Sequence, residues 1–281
     1  MTGMTFEKMT APTMAWPDGA RIAVMVTVMF EAWPEGKGPP YGPMASGMRE
    51  GTLDLQSISW AHYGGRTGIW RLLRILDRFG IKATVAANAM AIERFPDAGK
   101  AIAQGGHEIA GHSHTQNMFM PYCTEEEERA LIKRCSDSIA GITGQRMVGW
   151  ASPRMTPSVH TAQILAEQGF LWHGDYHDTD LPQVVDTPAG RLVGLPHSDF
   201  TDNRVLRGSP RDFHDVYKDT FDFLYQNEPG GLLNLTLHAH FGARPPIAAM
   251  LDRLLTYMRG FPGVWFARHD ALSRRVLELH A

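Results

Sequence analysis

Between Arg21 and Phe30 the chain reads RIAVMVTVMF, a continuous apolar and β-branched run that ends at Glu31. Such a run predicts a strand buried on both faces of a parallel sheet. The segment EAWPEGKGPPYGPMASGMREG that follows is crowded with Gly and Pro, which predicts a long loop suited to a substrate rim. From Thr67 onward Ile69, Trp70, Leu72, Leu73, Ile75, Leu76 and Phe79 recur at spacings of three and four until Gly80, the signature of a helix. IKATVAANA then predicts a strand, Phe95 to Gln104 a helix closed by Gly105 and Gly106, and HEIAGHSH a strand. Thr124 with Glu127 three residues on forms a capping box at the head of a helix reaching Ile142. RMVGWASP reads as a strand, Pro157 to Gly169 as a helix and FLWHGD as a strand. GRLVGLPHSD follows as a strand and SPRDFHDVYKDTFDFLYQN as a helix. The strand LLNLTLHAHF, the helix RPPIAAMLDRLLTYMRGF, the strand VWFARH and a last helix complete the pattern. Strands alternating with helices indicate repeated βαβ units, hence an α/β fold with a parallel sheet or barrel. No linker, low-complexity tract or repeat interrupts the alternation, so residues 1–281 read as one domain with 1–16 as a loose N-terminal arm.

Composition narrows the partners. The 27 Lys and Arg against 30 Asp and Glu leave no basic excess to hold nucleic acid or an anionic membrane surface, and a small molecule becomes the expected ligand. Cys123 and Cys135 are too few for a disulfide framework, which fits a reducing compartment. MTGMTFEKMTAPTMAWPDGAR carries no basic segment followed by an apolar run, and no apolar stretch is long enough to cross a bilayer. A cytoplasmic protein is therefore expected, and base rates of subunit assembly favour a homo-oligomer.

In βα folds the polar residues at the C-terminal ends of strands converge on one mouth. At predicted strand ends lie Glu31, Asn88, His112, His114, Ser152, Arg154, Asp175, His177, Asp178, Asp180, His197, Asp199, His238 and His240. A single strand-end His is more often a hydrogen-bonded structural residue than a ligand. Two i,i+2 pairs, 112/114 and 238/240, shift that balance, because residues two apart in a strand point the same way. Metal binding, acid–base work and plain hydrogen bonding all stay open for them. His62, His107, His160, His214, His269 and His280 have no strand-end position and read as structural or solvated. Trp33, Trp60 and Trp150 fall beside strand ends, where they either pack on a substrate ring or fill the core.

The text GIKATVAANAMAIERFPDAGKAIAQGGHEIAGHSH resembles the polysaccharide-deacetylase superfamily of distorted (β/α) barrels. GWASPRMTPSVHTAQILAEQGFLWHGDYHDTDLP and LHAHFGARPPIAAMLDRLLTYMRGFPGVWFARHDALSRR resemble its branch of cofactor-independent allantoinases, cyclic-imide hydrolases and peptidoglycan-deacetylase-like proteins. The resemblance covers roughly residues 17 to 275. It implies a distorted (β/α) barrel of the polysaccharide-deacetylase type. The superfamily's paired aspartates, one a base and one a metal ligand, fall here on Glu31 and Ala32. Its two metal-binding histidines fall on His112 and Gln116, and its general-acid histidine on His238. Two of the three implied metal ligands are thus altered, and a neutral amide is a poor substitute for an imidazole.

Two sites are open at this point. One holds a divalent metal, zinc first, on Glu31, His112 and His114; the other works without a metal. In the second, Glu31 activates water, with its pKa raised by desolvation, and His238 protonates the departing nitrogen. Asp178 is grouped with them as catalytic, while Gln116, Arg154, Trp33, Trp150 and His240 are expected to contact substrate. The expected activity is hydrolysis of a non-peptide C–N bond in a small cyclic imide, ureide or related amide. Metal-dependent N-deacetylation of an amino sugar and non-catalytic carbohydrate or metabolite binding are the alternatives.

Overall fold

The computed structural model describes residues 13–41, 49, 51–198 and 200–281. In chain order they form β1 (Ile22–Phe30), α1 (Leu55–Tyr63), α2 (Ile69–Arg78), β2 (Thr84–Ala87), α3 (Ala89–Arg94), α4 (Pro96–Gln104) and β3 (Glu108–Gly111). Then come α5 (Glu125–Thr143), β4 (Gly149–Trp150), α6 (Thr161–Glu167), β5 (Trp172–Tyr176), β6 (Gln183–Thr187) and β7 (Gly190–Pro196). The chain closes with α7 (Pro210–Asn227), β8 (Gly231–His238), α8 (Pro245–Arg259), β9 (Val264–Ala267) and α9 (His269–Leu279).

The strands make one curled sheet in the order β6-β7-β5-β4-β3-β2-β1-β8, with β9 also pairing to β1. All ladders are parallel except β6 with β7. β1 is buried at every position, as its apolar run predicts. Its first half lies between β8 and β9, and its second half between β8 and β2. The curl is drawn together by a side chain: Asn234 Nδ2 of β8 donates to the carbonyl of Pro196 at the end of β7, at 3.3 Å. This is the deacetylase-type (β/α) barrel that the sequence resemblance implies. Among the described residues no helix is long and apolar enough to cross a membrane.

Period-two alternation sorts the residues of β1 between two environments. Ile22, Val24, Val26, Val28 and Phe30 join the core between sheet and helices. Ala23 and Met25 face the interior of the curl, where Leu232, Leu272 and Val276 of β8 and α9 plug its lower end. Thr27 continues that interior face and donates to Asn234 Oδ1 at 2.7 Å, so His269 Nε2, 3.2 Å away, donates to the same hydroxyl. Met29 and Glu31 follow at the top, where the interior opens into a cavity. β8 repeats the sequence of environments from Leu232 through Asn234 to Thr236 and His238, the last two lining the cavity.

Several elements differ from expectation. The strand predicted through His114 stops at Gly111, because Ser113 adopts φ +62°, a left-handed conformation that no strand continues. The run RMVGWASP contributes only Gly149 and Trp150 to the sheet, and the helix predicted from Pro157 begins at Thr161. β7 forms where a strand was expected, but β6 and its antiparallel pairing were not expected, since the half-exposed segment QVVDT lacks a strong apolar pattern. Nor was α1, whose start is set by Asp54 accepting from Ser57 N at 3.0 Å.

α1 runs into α2 through a wide π-helical turn, Gly64–Gly68. That turn packs on the backbone after β8: a Cβ on Gly68 would stand 1.8 Å from the carbonyl oxygen of Ala239, and one on Gly64 3.2 Å from His240 N. Gly68→Ala is therefore expected to destabilise the fold by about 2 kcal/mol or more, through overpacking against backbone that cannot yield. A chemical denaturation midpoint unchanged from wild type would contradict this.

Candidate functional site

A cavity of about 540 Å³ opens at the C-terminal ends of β1, β3 and β8. Glu31, Tyr41, His112, Gln116, Arg154, His177, His197, Thr201, Arg204 and His238 are among the residues that line it.

Glu31 sits at its floor, its side chain almost wholly buried within a cage of imidazoles. Its Oε1 lies 3.7 Å from His112 Nε2 and 3.7 Å from His238 Nε2, and its Oε2 lies 3.7 Å from His240 Nδ1. Tyr41 OH approaches Oε2 at 3.4 Å. These separations exceed a normal hydrogen bond, so Glu31 keeps acceptor capacity for a molecule entering from the cavity. Asn88 holds the frame: it accepts from Ala32 N at 2.8 Å and donates to the carbonyl of His112, joining the ends of β1 and β3.

The expected upward shift of the Glu31 pKa is reversed. Burial does push it up, but His238, His112 and His240 together outweigh burial and hold the carboxyl below its ordinary range. His238 moves the other way. Burial disfavours its cation, yet Asp202 and Glu31 on either side raise its pKa above the ordinary 6.5. Asp202 is almost wholly buried and grips the histidine twice, with Oδ1 2.6 Å from Nδ1 and Oδ2 accepting from the backbone N–H at 2.7 Å. Burial pushes His240 down to about 3, with Glu31 only partly opposing it, and pushes His197 down to about 4. At neutral pH the floor therefore holds a carboxylate, an imidazolium at 238 and a neutral imidazole at 240. Activity that needs both charged forms is expected to persist above pH 6.5, and to fall on the acid side only below the ordinary carboxylate value of 4.5. A pH profile of kcat/KM whose alkaline limb lies at or below 6.5 would contradict that ordering.

His112 is fully buried and its Nδ1 lies 2.7 Å from the carbonyl oxygen of Ala151. A carbonyl only accepts, so Nδ1 carries a hydrogen, and Nε2 has no hydrogen-bond partner among the described residues; in the Nδ1–H tautomer it offers a lone pair. Gln116 also places an unpartnered Oε1 at the cavity wall. His240 is buried and stacks edge-on against Trp60 at 4.8 Å and Trp33 at 5.4 Å.

His114 does not share this cavity. The left-handed turn at Ser113 sends its ring outward, where Nε2 meets Glu93 Oε2 at 3.0 Å on the surface. The strand alternation that paired it with His112 ends before either residue. Asp178 is exposed and does not line the cavity, as is true of Asp180. Trp150 is buried in the core, donating to Ser152 Oγ at 3.1 Å and packing against Phe170, so it offers no face to a ligand. Trp33 supports His240 and does not line the cavity. Arg154 and Gln116 do line it. Asp199 lies outside the described residues.

Asp175 accepts from Ser152 N at 2.8 Å and pairs with His173 at 2.8 Å, stabilising the end of β5. Asp202 and Tyr41 were missed by sequence reasoning. Asp202 opens a 3-10 turn, Asp202–Val205, in a stretch with no hydrophobic period, and Tyr41 lies in the Gly/Pro-rich loop.

The donor set does not match a divalent-metal centre of the kind the resemblance implies. Among the described residues no three His, Cys, Asp or Glu side chains converge as metal ligands do. Glu31 and His112 supply two donors, Gln116 supplies only a neutral amide, His238 is engaged as a cation between two carboxylates, and His114 faces away.

Comparison with known proteins agrees with the fold. A model of the polysaccharide deacetylase family matches residues 59–172. The crystal structure of a probable polysaccharide deacetylase from Pseudomonas aeruginosa PAO1 is 30% identical, with a TM-score of 0.86 over 96% of this chain and 95% of that one. The crystal structure of PuuE allantoinase is also 30% identical, with a TM-score of 0.87 over 97% of this chain and 95% of that one. Peptidoglycan deacetylase of Helicobacter pylori is 25% identical over 252 residues, which span 77% of this chain and 86% of the relative.

Proposed function

Because the chain belongs to the polysaccharide deacetylase family, whose enzymes are hydrolases acting on amides, we propose that it opens a non-peptide C–N bond in a small cyclic imide or ureide without a metal. One observation carries this reading: an ionised Glu31 stands 3.7 Å from a cationic His238 that Asp202 fixes in place, at the floor of a cavity of small-molecule size.

A water held between Glu31 Oε1 and His112 Nε2 finds two acceptors, donates a hydrogen to each, and directs its lone pair into the cavity. As its oxygen bonds to the carbonyl carbon, Glu31 takes the proton as general base. His238 Nε2–H then protonates the ring nitrogen as the C–N bond breaks, and proton return from Glu31 to His238 through solvent restores the pair. The Gln116 amide, one donor and one acceptor on a cavity wall, matches the alternating edge of an imide or ureide. The likeness to PuuE allantoinase supports a ring substrate.

A second reading, metal-dependent N-deacetylation of an amino sugar, is favoured by the tautomer of His112, whose Nε2 lone pair is the form that metals bind. The likeness to peptidoglycan deacetylase of Helicobacter pylori points the same way. Purified protein assayed on succinimide, hydantoin, allantoin and a chitin oligomer separates the two. Ring opening without acetate release is the expected result. Acetate release from the oligomer alone would overturn the proposal, and affinity without turnover on any member of the panel would make the chain a binding protein.

A further inference from the structure

Two arginines, Arg154 and Arg204, stand in the cavity wall above the catalytic floor, and Glu31 is the one carboxylate among the described lining residues. Arg154 has an unusual setting. Its backbone sits at φ +55° and that of Met155 at φ +52°, two successive non-glycine residues in the left-handed region, and both line the cavity. Such a conformation is strained for a residue with a Cβ and persists only where the surrounding structure enforces it, most often at binding and active sites. The guanidinium lies over the Phe119 ring at 5.5 Å from its centroid and makes no ion pair with a described carboxylate. Phe119 supports one face of the group and leaves its edge of N–H donors for a ligand. A strained, aromatic-backed guanidinium with no carboxylate partner among the described residues is suited to receive a planar anion through paired hydrogen bonds.

Resting on the ring-hydrolase reading, we infer that the substrate carries a carboxylate beside its scissile imide or ureide, and that Arg154 is the specificity residue that takes it. Glu31 and His238 then act on the ring while Arg154 holds the anionic substituent. The Arg154 guanidinium favours this charge on the substrate over a neutral group of equal size.

Hydantoin-5-acetic acid and hydantoin-5-acetamide differ in charge and hardly in shape, so their binding isolates the anion. Isothermal titration of each into the intact protein is expected to give at least about tenfold tighter binding for the acid, weakening as salt rises. In R154Q the ratio is expected to fall to within about twofold of unity, and R154K is expected to keep part of the preference, since it retains the charge without the fork. Equal binding of the two compounds, no binding of either, or an undiminished preference in R154Q would overturn the inference. The two proposals fail separately. A preference for the acid without ring opening leaves the anion site standing and removes the hydrolase reading. Ring opening of hydantoin with no preference for the acid does the reverse.

Discussion

Glu31→Gln is expected to lower kcat by about 1,000-fold, within the range by which a positioned general base accelerates proton transfer. The amide is nearly isosteric, so it still fills the imidazole cage, but it cannot accept the proton that water must lose. Its effect falls on kcat more than on KM, because the carboxylate acts on the water as the new bond forms and the substrate ring rests on the cavity walls. Removing the carboxylate leaves His238 charged but still paired through Nδ1 with Asp202, so the protein is expected to remain folded, with an unchanged far-UV circular dichroism spectrum and a cooperative melt. A variant retaining more than one tenth of wild-type kcat would show that some other group activates the water.

His238→Ala is the second large effect, and its size is expected to depend on the leaving nitrogen. An amine-like nitrogen cannot depart without a proton, so a simple lactam, whose nitrogen leaves as an amine, is expected to lose about 1,000-fold in kcat. A succinimide or ureide nitrogen leaves more readily because a second carbonyl group shares its charge, and the loss there is expected to be smaller. The alkaline limb of the pH profile should also disappear, because the group responsible for it is gone. The substitution strands Asp202, which is buried and otherwise bonded to both the ring and the backbone N–H of residue 238. His238→Gln guards against a merely structural effect, since its amide can still donate to Asp202 but carries no transferable proton. Equal losses with both kinds of leaving group in the two variants would place His238 in a structural role.

The two residues with these expected effects were legible in the sequence for one reason. In LLNLTLHAH and in RIAVMVTVMFE the residues two apart share a face, and that face changes from apolar to polar toward the C-terminal end of each strand. The structure places them as this period requires: Ala23 and Met25 in the plug, Thr27 in the polar middle, and Met29 and Glu31 at the mouth. The same rule misplaced His114, because it assumes that the strand continues. One left-handed residue, Ser113, reverses the direction of the ring, and a serine gives little warning of that. Asp202 was illegible for a different reason. It reaches His238 from a sequence distance of 36 residues out of a short 3-10 turn, and such turns have no period to read. Asp178 and Trp150 looked equally suitable as text, yet one is exposed beyond the cavity and the other is wholly inside the core. Distinguishing such positions takes the depth of each side chain, which strand-end location does not supply. The direction of the Glu31 shift was hidden for the same cause, since burial was foreseeable but three surrounding imidazoles depend on tertiary placement.

The central claim is that Glu31 and His238 open the ring without a metal. It is tested most directly by measuring metal content and ring-opening rate on the same sample, before and after exhaustive chelation. Turnover of the best ring substrate that is unchanged at a metal content far below one per chain is the predicted result. Turnover that vanishes with the chelator and returns with one equivalent of zinc would contradict it.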